Sequence, residues 1–278
     1  MRPQAEPAPF RFFDLRVDRT RRLGPSLVRV TFGGEELEHF AAGGRDQSLS
    51  LFLPHPGQQA PVVPREAGDV YAVLGAWRAL PDGERAVMRS YTVREQRPGA
   101  GELDIDFAVH EDGGPACRWA LSAAAGDRVT VLGPAVADNT AVRFRPPEGT
   151  DWVLLWGDET ALPAAAAILR WLPEGMPARV WLEVPHAGDR TELPTAADAE
   201  VTWLVRDEQA PGAAEAVAAA EFPRGVPYAW IAGESGSVKR LRRHLVNERR
   251  VDKGRVTFVG YWKRGLSEDG LRQQPAAD

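Results

Sequence analysis

Apolar and polar positions follow two different rhythms in the two halves of the chain. Between residues 102 and 109, Leu103, Ile105, Phe107 and Val109 alternate with Asp104, Asp106 and Ala108. A period of two puts one face inward and the other toward solvent or ligand, which a helix cannot do. Similar short stretches at 10–17, 26–32, 48–53, 88–93 and 128–132 bring the number of predicted strands to six. Six short strands predict an antiparallel Greek-key β-barrel, closed at one end by a helix over 115–123 that carries Trp119 and Leu121.

Beyond Phe144 the run Arg145-Pro146-Pro147-Glu148-Gly149 breaks regular structure and marks a linker. The expected domains are therefore 1–146, the barrel, and 147–278. In the second, strands at 152–156, 178–184, 201–205, 228–232 and 256–259 alternate with helices at 161–171, 212–220 and 238–249. Such alternation predicts an α/β domain with a largely parallel sheet. In the last helix Val238, Leu241 and Leu245 form an apolar stripe, and the surrounding arginines read as a solvated face.

Composition narrows the function classes. A chain of 278 residues with 44% hydrophobic residues can build two cores. Its net charge of -5 argues against a general nucleic-acid binder. One cysteine excludes an internal disulfide framework and fits a reducing compartment. Residues 1–9 lack the apolar core of a signal peptide and no stretch is long enough for a membrane span, so the expectation is a cytoplasmic protein, favoured as a monomer, without membrane insertion.

Two runs carry candidate chemistry. Arg89-Ser90-Tyr91-Thr92 offers a cation for phosphate, a flat phenol for an isoalloxazine ring and hydroxyls for its edge. One strand later, Asp106-Phe107-Ala108-Val109-His110 leads into Gly113-Gly114-Pro115-Ala116-Cys117-Arg118-Trp119, a glycine-rich turn opening a helix. Backbone N–H groups and the helix dipole at such a start favour a pyrophosphate. Standing alone, Arg89 reads as a surface ion-pairing residue and Tyr91 as a core aromatic; together with the Gly114-Pro115 turn they describe one dinucleotide. His110 has no partner at metal-ligand spacing, so no metal site is expected.

The second half lacks G-x-G-x-x-G. Its first strand ends in Gly157-Asp158-Glu159-Thr160-Ala161, and open parallel sheets bind ligands at the carboxyl ends of strands. That location suits a nicotinamide, although N-capping explains Asp158 or Thr160 as well. Glu183 can accept ribose hydroxyls, whereas His186 or Arg190 can meet a 2′-phosphate, so NADH and NADPH both stay open.

These segments, with Asp46-Gln47-Ser48-Leu49-Ser50-Leu51, Asp158 to Pro163, Ala232-Gly233-Glu234 and Gly260-Tyr261-Trp262-Lys263-Arg264-Gly265, resemble the siderophore-interacting, FAD-dependent ferric reductase family of ferredoxin-reductase-like flavoproteins. The resemblance implies that the barrel holds FAD through Arg89, Ser90, Tyr91, Thr92, Asp106, Phe107, Val109, His110, Gly114, Pro115, Ala116, Cys117 and Trp119. It implies that His110 lies beside the FAD diphosphate or adenosine, and that Cys117 stands where the family often has serine. It also implies that Asp158, Glu159, Thr160 and Ala161 line the place where nicotinamide meets flavin, that Trp262 covers an isoalloxazine face, and that Lys263 and Arg264 present positive charge to an anionic ferric siderophore. The implied reaction passes electrons from NADPH or NADH through FAD to Fe(III). A flavin reductase with ferredoxin as partner and a noncatalytic siderophore-binding protein are the alternatives.

Overall fold

The computed structural model describes residues 8–110, 113–266 and 270. The chain divides into two compact units, residues 1–22 with 28–142, and 23–27 with 143–278. The division at 142/143 lies before the proline run because Phe144 is fully buried in the core of the second unit, against Tyr228. Leu27 joins that same core, and the backbone N–H of Ser26 donates to Asp189 at 2.7 Å.

The first unit is a curled antiparallel sheet, as its alternating pattern demands. Its strands are β1 (Phe10–Gly24), β2 (Leu27–Gly33), β3 (Ser48–Leu53), β4 (Val87–Thr92), β5 (Glu95–Arg97), β6 (Glu102–Ala108) and β7 (Arg128–Pro134), in the spatial order β4-β3-β7-β1-β2-β6-β5. Among the described residues there are seven strands, one more than the pattern predicts. The additional strand, β5, has three polar residues, too few to display a period, and it is held by pairing with β6 and by the Gln96 side chain, which bonds the backbone of Phe40 and Ala42. The described part of the unit also contains two helices: α1 (Val70–Ala79), in the long β3–β4 connection, and α2 (Pro115–Ser122). The sequence pattern predicts only α2. The signal for α1 is Asp69, whose carboxylate caps the helix by accepting from Ala72 N–H at 2.9 Å.

Inward residues of β1, β2, β3, β6 and β7, with Cys117 and Ala120 of α2, form one core. Each fully buried Phe, Leu or Val there contributes roughly 1.5–3 kcal/mol. Against its outer side Trp77 of α1 packs on Phe52, ring centroids 5.4 Å apart, and holds a second small core.

The second unit is a parallel sheet of β8 (Trp152–Gly157), β9 (Pro177–Val184), β10 (Asp198–Val205), β11 (Pro227–Glu234) and β12 (Val256–Trp262), ordered β10-β9-β8-β11-β12. All residues of β8 are buried, with Val153 and Leu155 in one core and Trp152, Leu154 and Trp156 in another. A central parallel strand covered on both faces requires such an unbroken apolar run. α3 (Leu162–Trp171) covers one face; α4 (Ala213–Ala219) and α5 (Ser235–Arg243) cover the other. The helix expected to reach residue 249 changes to a π-helical turn at His244–Glu248, where the buried His244 Nδ1 lies 2.8 Å from Glu248.

Candidate functional site

β4 is an edge strand, paired with β3 alone in the sheet order. On it Ser90 is exposed, Arg89 and Tyr91 are half-buried and Thr92 is buried. Arg89 folds its guanidinium back onto the Met88 carbonyl at 2.7 Å. Tyr91 leans on Phe107, centroids 4.4 Å apart, and Phe107 in turn meets Trp119, which stacks on Phe32. Phe107 is wholly buried and Val109 nearly so. Phe107 therefore backs Tyr91 from within the core, and neither Phe107 nor Val109 is open to a ligand at the surface. The end of β4 is pinned by Gln47, buried, whose carbonyl accepts from Val93 N–H at 2.8 Å and whose side chain is tied to Asn139.

Asp106 faces away from this surface. It takes two hydrogen bonds from Arg29, at 2.6 and 2.8 Å, and lies 3.7 Å from Arg94. With Asp104, which accepts from Arg97 and Thr31, it forms a buried ion-pair network. Burial raises the Asp104 pKa, but its arginine and threonine partners more than offset this and hold it below the usual range. Asp106 is thereby committed to holding strands together.

The start of α2 is open. Among the described residues, Gly114 occupies the N-cap without a side-chain cap, Pro115 begins the helix, and no atom stands within 4 Å of where a Gly114 Cβ would sit. Gly113, in contrast, cannot carry a Cβ without striking Cys117 Sγ. Cys117 is buried and bridges the loop, its sulfur 3.3 Å from both the N–H and the carbonyl oxygen of His110. His110 itself is exposed. An uncapped first turn, Ala116 and Cys117 N–H groups included, beside an edge strand with an aromatic and an arginine fits a flavin dinucleotide: anion at the helix start, ring near Tyr91.

In the second unit the carboxyl ends of β8, β11 and β12 converge on Asp158. This side chain is almost fully buried and accepts from Thr160 N–H (3.0 Å) and hydroxyl (2.5 Å), Glu234 N–H (2.7 Å) and the Trp262 indole (2.7 Å). Burial, with the neighbouring Glu159 charge, pushes its pKa up to about 6 against these donors. Gly233 has φ 139° and lies so close that a Cβ would come within 2.5 Å of the carboxylate. Glu159 pairs with Arg206 at 2.8 Å, and Arg206 reaches Glu183 at 3.1 Å. Ala161 is buried at the N-cap of α3. Trp262 is half-buried; Lys263 and Arg264 are exposed immediately beyond it.

A curled antiparallel sheet followed by a five-stranded parallel sheet of this order is the two-domain architecture of ferredoxin-reductase-like flavoproteins. Residues 16–138 match the siderophore-interacting FAD-binding domain and residues 150–265 the siderophore-interacting protein family. The chain belongs to that family. Ferric vibriobactin reductase ViuB of Vibrio cholerae serotype O1 is 32% identical over 260 residues, 92% of this chain and 91% of that one. The NADPH-dependent ferric-chelate reductase of Escherichia coli K12 is 32% identical over 94% of this chain and 96% of its own. A siderophore utilization protein from T. fusca superposes with a TM-score of 0.77 at 35% identity, covering 94% and 95% of the two chains.

The sequence motifs around Arg89 to Thr92 and the Gly114-Pro115 turn flank one aromatic cluster, formed by Tyr91, Phe107 and Trp119. Arg206 has no comparable signal in the sequence, because its carboxylate partners lie 47 and 23 residues away. Gln47 falls within a segment that carries the family resemblance, but its part in anchoring β4 is visible only in the fold.

Proposed function

We propose that this protein reduces ferric siderophores, passing electrons from NAD(P)H through FAD to Fe(III) and releasing Fe(II). One observation carries the reading: the similarity spans both units, and the full-length relatives at 32% identity are named as ferric reductases. The uncapped α2 start and the Tyr91 surface, found in the unit that matches the FAD-binding domain, support the same reading.

FAD supplies the capacity to accept a hydride and to release electrons singly. The chain's own residues do the rest. Ala116 and Cys117 N–H groups and Arg89 hold the diphosphate; Tyr91, braced by Phe107, sets the ring; Ser90 and Thr92 offer hydroxyls to its edge. In the second unit Thr160 and Trp262 orient the nicotinamide donor, and Asp158 fixes them both. Lys263 and Arg264 attract the anionic chelate. Reduction loosens the chelate because hard oxygen donors hold Fe(III) more tightly than Fe(II).

Purified protein is expected to be yellow, to bleach with NADH or NADPH under anaerobic conditions and to regain colour when a ferric siderophore is added. Protein that cannot be reconstituted with FAD, or reduced flavin that ignores the chelate, would overturn the proposal.

A further inference from the structure

The carboxyl edge of β8, β9 and β10 is closed by ion pairs. Arg206, the residue after β10, lies across the end of β9: one guanidinium nitrogen donates to Glu183 at 3.1 Å, the other to Glu159, beyond β8, at 2.8 Å. Two other basic side chains stand on this edge, and each has its own carboxylate. His186 Nδ1 is 2.5 Å from Asp207, and Arg190 is 2.5 Å from Glu208. The loop carrying them is held by Asp189, buried, which accepts from His186 N–H and Ser26 N–H.

In a parallel sheet of this kind the adenosine ribose of a dinucleotide is read at the ends of the strands next to the switch point. There an acidic residue receives the ribose hydroxyls of NAD, and an uncommitted arginine receives the 2′-phosphate of NADP. β8 and β11 flank the switch point, and Glu183 is the last residue but one of the next strand, β9. A 2′-phosphate brings about two negative charges at neutral pH, as other phosphomonoesters do. It would meet Glu159, Glu183, Asp207 and Glu208 around Arg206, Arg190 and His186, side chains that these carboxylates already hold. A ribose diol can instead donate to Glu183 without breaking any pair.

We propose that this edge selects the unphosphorylated ribose, so that NADH is the donor this chain prefers, with Glu183 and Arg206 as the residues that set the preference. The inference rests on the nicotinamide-dependent reading above. It differs from the donor named for the Escherichia coli relative, and it follows from the pairs of this chain alone.

The test separates binding from turnover. Titration calorimetry with ADP-ribose and with its 2′-phosphate is expected to show at least about tenfold tighter binding of the former. Glu183→Gln relieves Arg206 of one carboxylate and is expected to narrow that gap roughly threefold or more; Arg206→Gln removes the cation and widens it. Anaerobic flavin reduction should show the same order, NADH above NADPH. Equal or tighter binding of the 2′-phosphate form, or a gap that neither variant moves, overturns the inference. If neither nucleotide reduces the flavin while dithionite does, the donor reading itself fails. Circular dichroism of both variants identifies any loss of fold, and the wild-type comparison decides the preference independently of them.

Discussion

The indole of Trp262 donates to the carboxylate of Asp158 at 2.7 Å, joining residues 104 positions apart. It is one of four donors converging on a side chain that water barely reaches. The last strand of the parallel sheet is thereby fastened to the end of its first.

Removing that donor tests how much the fastening contributes. Trp262→Phe keeps an aromatic ring but takes a hydrogen bond from a buried charge, and is expected to cost about 1–3 kcal/mol. Urea denaturation at pH 7 measures it. The Asp158 pKa should rise further above 6, followed by carboxyl-selective carbon NMR; an unchanged pKa would show that the indole does not stabilise the ionised form.

The raised pKa of Asp158 has a definite sign for stability. A carboxyl whose folded pKa, about 6, exceeds its ordinary 3.8 binds its proton more tightly in the folded chain. Its contribution is therefore greatest below about pH 4, falls as pH rises to about 6 and is constant above, a change of roughly 3 kcal/mol for two pKa units. Asp158→Asn cannot ionise, so the difference in stability between wild type and variant should vary across pH 4 to 6 and level off beyond. A pH-independent difference over that window contradicts the assignment.

Phe107→Ala leaves a hole beneath Tyr91 and beside Trp119. A fully buried phenylalanine truncated to alanine is expected to cost about 3–5 kcal/mol. If Tyr91 seats the flavin, FAD affinity should fall together with stability, and fluorescence titration of FAD into apoprotein at a temperature where the variant stays folded checks the coupling.

Arg89→Ala leaves the sheet pairing of β4 intact, because that pairing runs through the backbone. Loss of one charge-assisted contact to phosphate is expected to weaken FAD binding about 10- to 100-fold. Thermal unfolding of the apoprotein should change little. Undiminished affinity would remove Arg89 from the phosphate site.

Period and punctuation make the two architectures readable from the sequence: alternation in β6, and the apolar run of β8 between turn residues. They do not reveal β5, whose three polar residues owe their conformation to β6 and to the bonds of Gln96 with Phe40 and Ala42, nor the π-helical turn at His244, which local propensity does not encode. The same division holds for the site. Arg89, Tyr91 and the Gly114-Pro115 turn are visible because their neighbours in sequence are their neighbours in space. The commitment of Asp106 to Arg29 and the bridge made by Arg206 depend on distant strands, and no single segment displays them. Cys117 shows both sides at once: its place in the turn that opens α2 is plain in the sequence, while its bridge to His110 emerges only in the folded loop.

The short segment 23–27 makes the second unit discontinuous in sequence. Its Ser26 N–H waits for Asp189, 163 residues later, and Leu27 for a core built from residues beyond 143. During synthesis these few residues leave the ribosome long before the rest of their unit. A fragment starting at Arg143 would lack them, so the two halves are not interchangeable modules that can be cut apart at the linker.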